Sequence, residues 1–291
     1  MSLTRRQLLA AMPALAGVAQ TRPARPNIIL IVADDLGHAD LGCFGNTRVR
    51  SPHLDRMAAE GVRFTDFYVC WAACTPSRGS ILTGRYPQRN GLYDMIRNNE
   101  VNWKFQFDEE TYATSPEMTL GLDVRETTIG QVMKSAGYAT GAIGKWDSGR
   151  ARRYLPRQRG FDFFYGFANT GIDYYTHARY GIPSMFRDNE RVKEQGHSTD
   201  LFRREALRFI DQNHERPFFL YLAFNAPHGA STFDKKAPQV AEKYWRMYGD
   251  SESDRKAVRP GLITHMDEAI GDVCLDRKHI RVGHLTLSLV M

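Results

Sequence analysis

Long apolar runs are scarce in this chain of 291 residues, and beyond residue 20 none reaches the ~20 residues that a membrane-spanning helix needs. Cysteine is scarce as well. Cys43, Cys70, Cys74 and Cys274 form no Cys-x-x-Cys pair and no Cys/His zinc spacing, which argues against a disulfide scaffold and a zinc module. A Cys43–Cys70 bridge is one pairing the sequence leaves open. There is no internal repeat and no low-complexity linker. There is also no recognised nucleic-acid module, so nucleic acid is not an expected partner. The net charge of +6 is spread out, its only basic clusters being 150–153 (RARR) and 157–159 (RQR) beside many acids. A cationic face of this kind favours anionic substrates. What is present, 42% hydrophobic and 25% charged residues, suits one large domain or two modest ones with a sizeable core.

The first residues do not read as fold. Arg5 and Arg6 precede an apolar run over 8–18, and Gly17-Val18-Ala19 offers a small-x-small cleavage site. Residues 4–9 (TRRQLL) resemble a twin-arginine export signal, which carries folded proteins. The expectation is a signal peptide over 1–19, the twin-arginine export machinery as a partner, and a periplasmic or secreted location. Its removal would take away Arg5 and Arg6.

Farther along, residues 27–33 (NIILIVA) form a continuous β-branched run, as in a strand buried on both faces. Ser51-Pro52 predicts a helix with Ser51 as N-cap, a buried face of Leu54, Met57 and Ala58, and a stop at Gly61. A short helix is expected over 76–82, just after Cys74. Residues 97–123 show no clean period and read as a long surface loop near a cleft mouth. A helix over 127–136 would bury Ile129, Val132, Met133 and Ala136. A strand follows over 139–144, an amphipathic helix over 199–213, a buried strand over 218–224 (FFLYLAF) and a helix over 262–273. Strands alternating with helices predict α/β architecture. In such sheets functional groups gather beyond the C-terminal strand ends. Three predicted strands end in suggestive groups: Asp34 and Asp35, Lys145 and Asp147, and His228.

Adjacent carboxylates at a strand end repel unless a cation lies between them, and hard oxygen ligands suit Ca²⁺ or Mg²⁺. By itself the Asp34-Asp35 pair is a weak signal, since such a pair is more often a cap or turn. The stretch Cys74-Thr75-Pro76-Ser77-Arg78, followed by Thr83-Gly84-Arg85, changes the weighing. It resembles the Cys-x-Pro-Ser-Arg … Thr-Gly-Arg signature of the sulfatases. Residues 137–146 (GYATGAIGKW) resemble the second signature of that family, Asp34-Asp35-Leu36-Gly37 its N-terminal metal motif, and Pro227-His228 its later Pro-His. The four motifs stand in the family's order, and the resemblance covers roughly residues 26–273.

The resemblance implies an α/β fold of the alkaline phosphatase-like kind, a large mixed β-sheet flanked by helices, and sulfuric ester hydrolysis. It implies that Cys74 is oxidised to formylglycine by a formylglycine-generating enzyme. The aldehyde hydrates to a diol: one hydroxyl attacks sulfur, and the other lets the sulfated intermediate collapse with release of sulfate. A serine would have no such exit. Asp34, Asp35 and residue 74 would hold the metal, Ca²⁺ or Mg²⁺, which acidifies the attacking hydroxyl. Arg78 would hold residue 74, Lys145 would bridge it to sulfate, and His228 would contact sulfate or assist the leaving oxygen. The substrate would be an aryl or glycan sulfate.

The chain also departs from the family. Asp147 stands where the family has the histidine that hydrogen-bonds residue 74 and serves as base. With an ordinary pKa of about 3.9 against about 6.5 for His, Asp is the weaker base unless its surroundings raise it. The family's later Asp-Asn or Asp-His metal pair has no match, and 274–291 reads as a divergent tail, as in a truncated or frame-disrupted product lacking the C-terminal subdomain. Two alternatives stay open: a phosphonate or phosphate monoester hydrolase of the same fold, and a non-catalytic relic that binds sulfated glycans.

Overall fold

The run 27–33 becomes β1 (Asn27–Asp34), and its inner residues are buried on both faces, as a continuous apolar strand requires. The computed structural model describes residues 25–96, 121–179, 182–230, 239–251, 254–275 and 285–290. Helices α1 (Pro52–Glu60) and α2 (Cys74–Thr83) follow. Next come α3 (Ile129–Ser135), β2 (Ala139–Lys145) and β3 (Phe163–Phe167). Two small hairpins pair β4 (Ala178–Arg179) with β5 (Ile182–Pro183) and β6 (Met185–Arg187) with β7 (Glu190–Arg191). The chain continues through α4 (Ser198–Asn213), β8 (Phe218–Pro227), α5 (Arg255–Leu275) and β9 (Leu285–Val290).

Among the described residues, seven strands form one mixed sheet in the order β7-β6-β3-β2-β8-β1-β9. The strands from β3 to β9 in that order are mutually parallel, and β6 and β7 run antiparallel at one edge. Parallel neighbours end on the same side, so β1, β2 and β8 deliver their C-terminal residues to one edge. The segment predicted to be a divergent tail carries β9, whose backbone runs alongside β1 in register from Asn27↔Leu285 to Val32↔Val290.

Strand β8 shows why the sheet holds. Phe218, Leu220, Leu222 and Phe224 enter one core with Phe202 and Phe209 of α4 and Leu262, Met266 and Ile270 of α5. Phe219, Tyr221 and Ala223 enter the opposite core with Leu82 of α2, Trp146 and Phe161. Period-two alternation thus divides one wholly apolar strand between two layers of cover.

Several local expectations are corrected. Ser51 precedes α1, but its hydroxyl accepts from Gly42 N and donates to Asp55 instead of capping the helix. The amide groups of His53 and Leu54 are met by the carboxylate of Asp267 on α5, at 3.2 and 2.8 Å. Helix α2 starts at Cys74 itself. In α3, Thr128 and Gln131 form a reciprocal capping box, but Val132 and Ala136 face solvent. The packed side centres on Gly130, where a Cβ would clash with Phe161. Of the expected loop over 97–123, residues 97–120 lie outside the described residues, while Gly121, Leu122 and Asp123 are buried. Cys43 and Cys70 are free thiols, so the open pairing is not made.

Candidate active site

Strand geometry assembles the site. Asp34 ends β1, Lys145 ends β2, and His228 follows β8. The β1–β8 register slips between Val32 and Asp34, bringing Asp34 opposite Pro227. Helix α2 points its N-terminus at this edge. Cys74 is its first residue, and Arg78, one turn on, is buried beneath it. An orphan-amide end of this kind favours an anion.

The carboxylate of Asp34 is the hub. Lys145 Nζ donates to its Oδ2 at 2.6 Å and Arg78 Nη2 to its Oδ1 at 3.1 Å. Arg78 Nη1 also donates to the Lys145 carbonyl and the Tyr221 hydroxyl, and Lys145 Nζ to the Thr170 carbonyl. Burial works against the charge of Asp34, yet Lys145 and Arg78 outweigh it and hold its carboxyl below the ordinary value. Burial also opposes the charge of Lys145, and Asp34 and Asp147 restore it. Two buried cations thus face two buried carboxylates, Asp34 at hydrogen-bonding distance and Asp147 at 3.7 Å from Lys145 Nζ.

Cys74 is half-buried, and desolvation raises its thiol above the ordinary value. An unmodified Cys74 is therefore a protonated thiol of low reactivity at neutral pH. Asp147 is 1% exposed, accepts from Thr75 Oγ1 at 3.0 Å, and leaves its buried Oδ2 without a hydrogen-bond partner, 3.7 Å from Lys145 Nζ. Burial raises its pKa against the pull of Lys145 and Arg78. The surroundings thus shift this aspartate toward being a stronger base than an exposed one.

His228 donates from Nδ1 to the Gly229 carbonyl at 2.6 Å, an oxygen that can only accept, so Nε2 carries the lone pair. Nε2 lies 3.8 Å from Asp35 Oδ2. Burial, then the charge of Lys145, lowers the pKa of His228. One ligand-type atom from each of Asp34, Cys74 and His228 lies within 4.8 Å of the others. Asp35 is not in that group: it is half exposed, at a left-handed φ of 63°, with its carbonyl held by Arg259. The structure therefore brings Asp34, Cys74, Arg78, Lys145, Asp147 and His228 together and sets Asp35 at the rim.

Four supporting residues escaped sequence reasoning: Thr75, Thr170, Tyr221 and Tyr174. The Tyr174 hydroxyl donates to the His228 carbonyl at 2.9 Å, and its ring stacks on His197. Thr75 sits inside the Cys-x-Pro-Ser-Arg stretch and could have been found there. The others are recognisable only once the strands are in place.

The donor chemistry fits a hard cation in kind. Asp34 and Asp35 supply carboxylate oxygens, and an oxygen-bearing residue 74 would add more. Ca²⁺ takes six to eight oxygens, a shell that the described residues fill only in part.

The family model described as Sulfatase matches residues 26–276. An N-acetylgalactosamine-6-sulfatase of Canis lupus familiaris is 32% identical over 295 residues, covering 96% of this chain and 52% of that protein. An arylsulfatase of Hemicentrotus pulcherrimus is 37% identical over 245 residues, 78% of this chain and 41% of that one. The chain thus spans about half the length of the curated relatives it matches. Among solved structures, Ps i-CgsB superposes with a TM-score of 0.76 at 29% identity, over 91% of this chain and 58% of that one. The same protein in complex with k-i-k-neocarrahexaose gives 0.75 at 30% identity, with the same coverage.

Proposed function

This chain belongs to the sulfatase family, and from that premise we propose that it hydrolyses sulfate esters, with residue 74 acting as formylglycine. The observation that carries the proposal is the convergence of Cys74, Arg78, Lys145, Asp147 and His228 around Asp34 at one edge of an alkaline phosphatase-like sheet. The raised pKa of the Cys74 thiol supports it, because a thiol so placed gains nucleophilic use by conversion.

The aldehyde, hydrated, supplies a hydroxyl for attack on sulfur and a second one that permits sulfate release. The surrounding residues do the rest. Lys145 and Arg78 balance the negative charge of the transferring sulfuryl group, and their burial lowers the local dielectric, which strengthens their electrostatic effect. The amide end of α2 adds its dipole. His228 takes up a proton at Nε2 and gives it to the departing ester oxygen, while its Nδ1–H stays on Gly229. Asp147 accepts a proton at its unpartnered Oδ2 during sulfate release, the work that a histidine does elsewhere in the family. A divalent ion, Ca²⁺ or Mg²⁺, would sit on Asp34, Asp35 and residue 74, supplying Lewis acidity to the attacking oxygen.

Residues 1–19 support export by the twin-arginine route to the periplasm or beyond. Among the described residues no helix is long and apolar enough to cross a membrane. A formylglycine-generating enzyme is the implied modifying partner. The segment leading into Cys74 is open to it, since Phe64, Phe67 and Tyr68 are all exposed.

The test has two parts. Co-expression with the generating enzyme should lower the mass of the Cys74 peptide by about 18 Da, the loss expected when the thiol becomes an aldehyde. The converted protein should then release sulfate from an aryl sulfate faster than it cleaves the matching phosphonate. A preference for the phosphonate would replace this reading with the phosphonate-hydrolase one.

A further inference from the structure

A second group of ligand-type side chains lies where the start of α4 meets α5. His197 precedes α4, Asp200 stands in its first turn, and His265 belongs to α5. One ligand-type atom from each lies within 4.8 Å of the others. The two imidazoles are 3% and 1% exposed, and their ring centroids are 4.4 Å apart. Tyr174 stacks on His197 and Tyr244 on His265. Hydrolysis as derived above uses none of the three residues. The contact of Asp200 with His265 joins positions 65 apart, so no sequence spacing announces it.

The three are disposed as ligands. His265 Nε2 lies 3.0 Å from Asp200 Oδ1, a carboxylate oxygen that accepts, so Nε2 carries the proton. His265 Nδ1 is buried without a hydrogen-bond partner. The proton can therefore pass to Nδ1 with no bond lost there, which turns the Nε2 lone pair toward Asp200. Bonds of about 2.0–2.1 Å to a tetrahedral ion set its ligand atoms about 3.3 Å apart, so an ion fits between Nε2 and Oδ1 almost as they stand. His197 Nδ1 accepts from Thr199 N at 3.2 Å, and its Nε2 lies 3.2 Å from the Gln239 carbonyl. The lone pair of His197 is thus on Nδ1, where an ion would displace Thr199 N. An Nε2–H held on a backbone carbonyl is the outer contact that orients a metal-binding imidazole. Burial keeps His197 neutral, the form that ligates. Arg203 approaches Asp200 Oδ1 at 3.1 Å but also holds Asp272 at 3.0 Å, a counter-charge it keeps when Asp200 turns to an ion. The Asp200 side chain is 41% exposed, which gives an ion its way in.

We propose that His197, Asp200 and His265 bind a divalent transition-metal ion of the Zn²⁺ kind, as a clip between α4 and α5. Two imidazole nitrogens and one carboxylate suit such an ion, in contrast to the oxygen donors around Asp34, which suit a hard one. Through Tyr174, stacked on His197 and bonded to the His228 carbonyl, the clip also braces the loop that carries His228. The proposal does not depend on the chemistry of residue 74.

Titration calorimetry with Zn²⁺ tests it, on the full chain carrying Cys74→Ser and in excess Mg²⁺ to compete for the oxygen donors around Asp34. One Zn²⁺ should bind, and the thermal midpoint should rise with its concentration, as for a ligand held by the folded state alone. His265→Gln should weaken that binding by about 100-fold or more, above the roughly 10–100-fold cost of losing an outer partner. Because His265 is buried, Asp200→Asn, at a half-exposed position, is the second variant; it should weaken binding by at least about tenfold and remove most of the rise in midpoint. Co²⁺ in place of Zn²⁺ should give the visible absorption of a nitrogen and oxygen site without an intense near-ultraviolet thiolate band. No zinc binding to the folded chain overturns the proposal, as does binding that stays unchanged in a folded variant. A thiolate band would move the ion to the cysteines and overturn it likewise.

Discussion

Lys145 and Asp34 form an ion pair at 2.6 Å with side chains 0% and 4% exposed, and Arg78 grips the other oxygen of the same carboxylate. One carboxylate therefore takes a direct hydrogen bond from each of two buried cations, with Asp147 farther off, at 3.7 Å from Lys145. Removing Asp34 leaves both without their main counter-charge. Breaking a buried pair from one side costs about 3–5 kcal/mol.

Asp34→Asn should accordingly lose about 3 kcal/mol or more of stability in urea unfolding at neutral pH. The folded pKa of Asp34 lies below its unfolded value. Its contribution is thus present above the unfolded pKa of about 3.9 and is lost as pH falls through the folded value. The wild type should show this acid-side decline and the variant should lack that part of it. A variant within about 1 kcal/mol of wild type at neutral pH would contradict the hub role of Asp34.

Asp147 runs the other way. Its folded pKa is raised, mainly by burial, so the folded protein holds the proton more tightly than the unfolded chain. Its effect is a penalty that grows as pH rises from the unfolded value through the folded one, and it is absent in acid. Asp147→Asn should be more stable than the wild type at pH 8 and little changed at pH 4, read as thermal midpoints at the two pH values. Asparagine also tolerates the left-handed φ of 48° at this position. The same variant should slow sulfate release, because its amide cannot take the proton.

Burial, then the neighbouring His265, lowers the pKa of His197 to about 3. Its neutral form is the folded one, so stability is full above the unfolded pKa of about 6.5 and declines at up to about 1.4 kcal/mol per pH unit as pH falls toward the folded value. His197 also caps α4 by accepting from Thr199 N at 3.2 Å. His197→Asn keeps an acceptor for the cap and removes the titration. The slope of stability against pH between about 6 and 4 should flatten in that variant. An unchanged slope would place the acid sensitivity elsewhere.

Tyr174→Phe deletes one hydrogen bond, to the carbonyl of His228, and keeps the ring stacked on His197. The fold should survive with a loss of about 1 kcal/mol. Steady-state kinetics of the converted protein should show kcat reduced several-fold with KM nearly unchanged, as for a group that positions His228 without touching the substrate. A rise in KM alone would instead mark Tyr174 as part of the binding surface.

Much of this was legible from the residues because the signals were local. Strands β1 and β8 declared themselves as unbroken apolar runs, and Cys74 and Arg78 stand one helical turn apart inside one short motif. β3 was missed because its five residues, FFYGF, carry no alternation and follow only the brief helical turn Pro156–Gln158. The exposed face of α3 was misjudged because apolar spacing cannot reveal that Gly130 is where the helix meets Phe161. Tyr174 was invisible for a different reason. Its hydrogen bond to the His228 carbonyl joins residues 54 positions apart and exists only once the strands are in place.

Near the site the sheet is sewn together through glycine. Gly144 has a φ of 96°, and a Cβ there would fall 1.8 Å from the Ala223 carbonyl oxygen; a Cβ on Gly166 would fall 1.9 Å from the Gly144 oxygen. Main chains of β8, β2 and β3 thus meet with no room for a side chain between them, directly behind Lys145 and Asp147. In a saturation scan this floor should accept no replacement at Gly144 or Gly166. The chemistry of the site is thereby mounted on a part of the scaffold that cannot be edited, and any re-engineering of the protein has to leave Gly144 and Gly166 as they are.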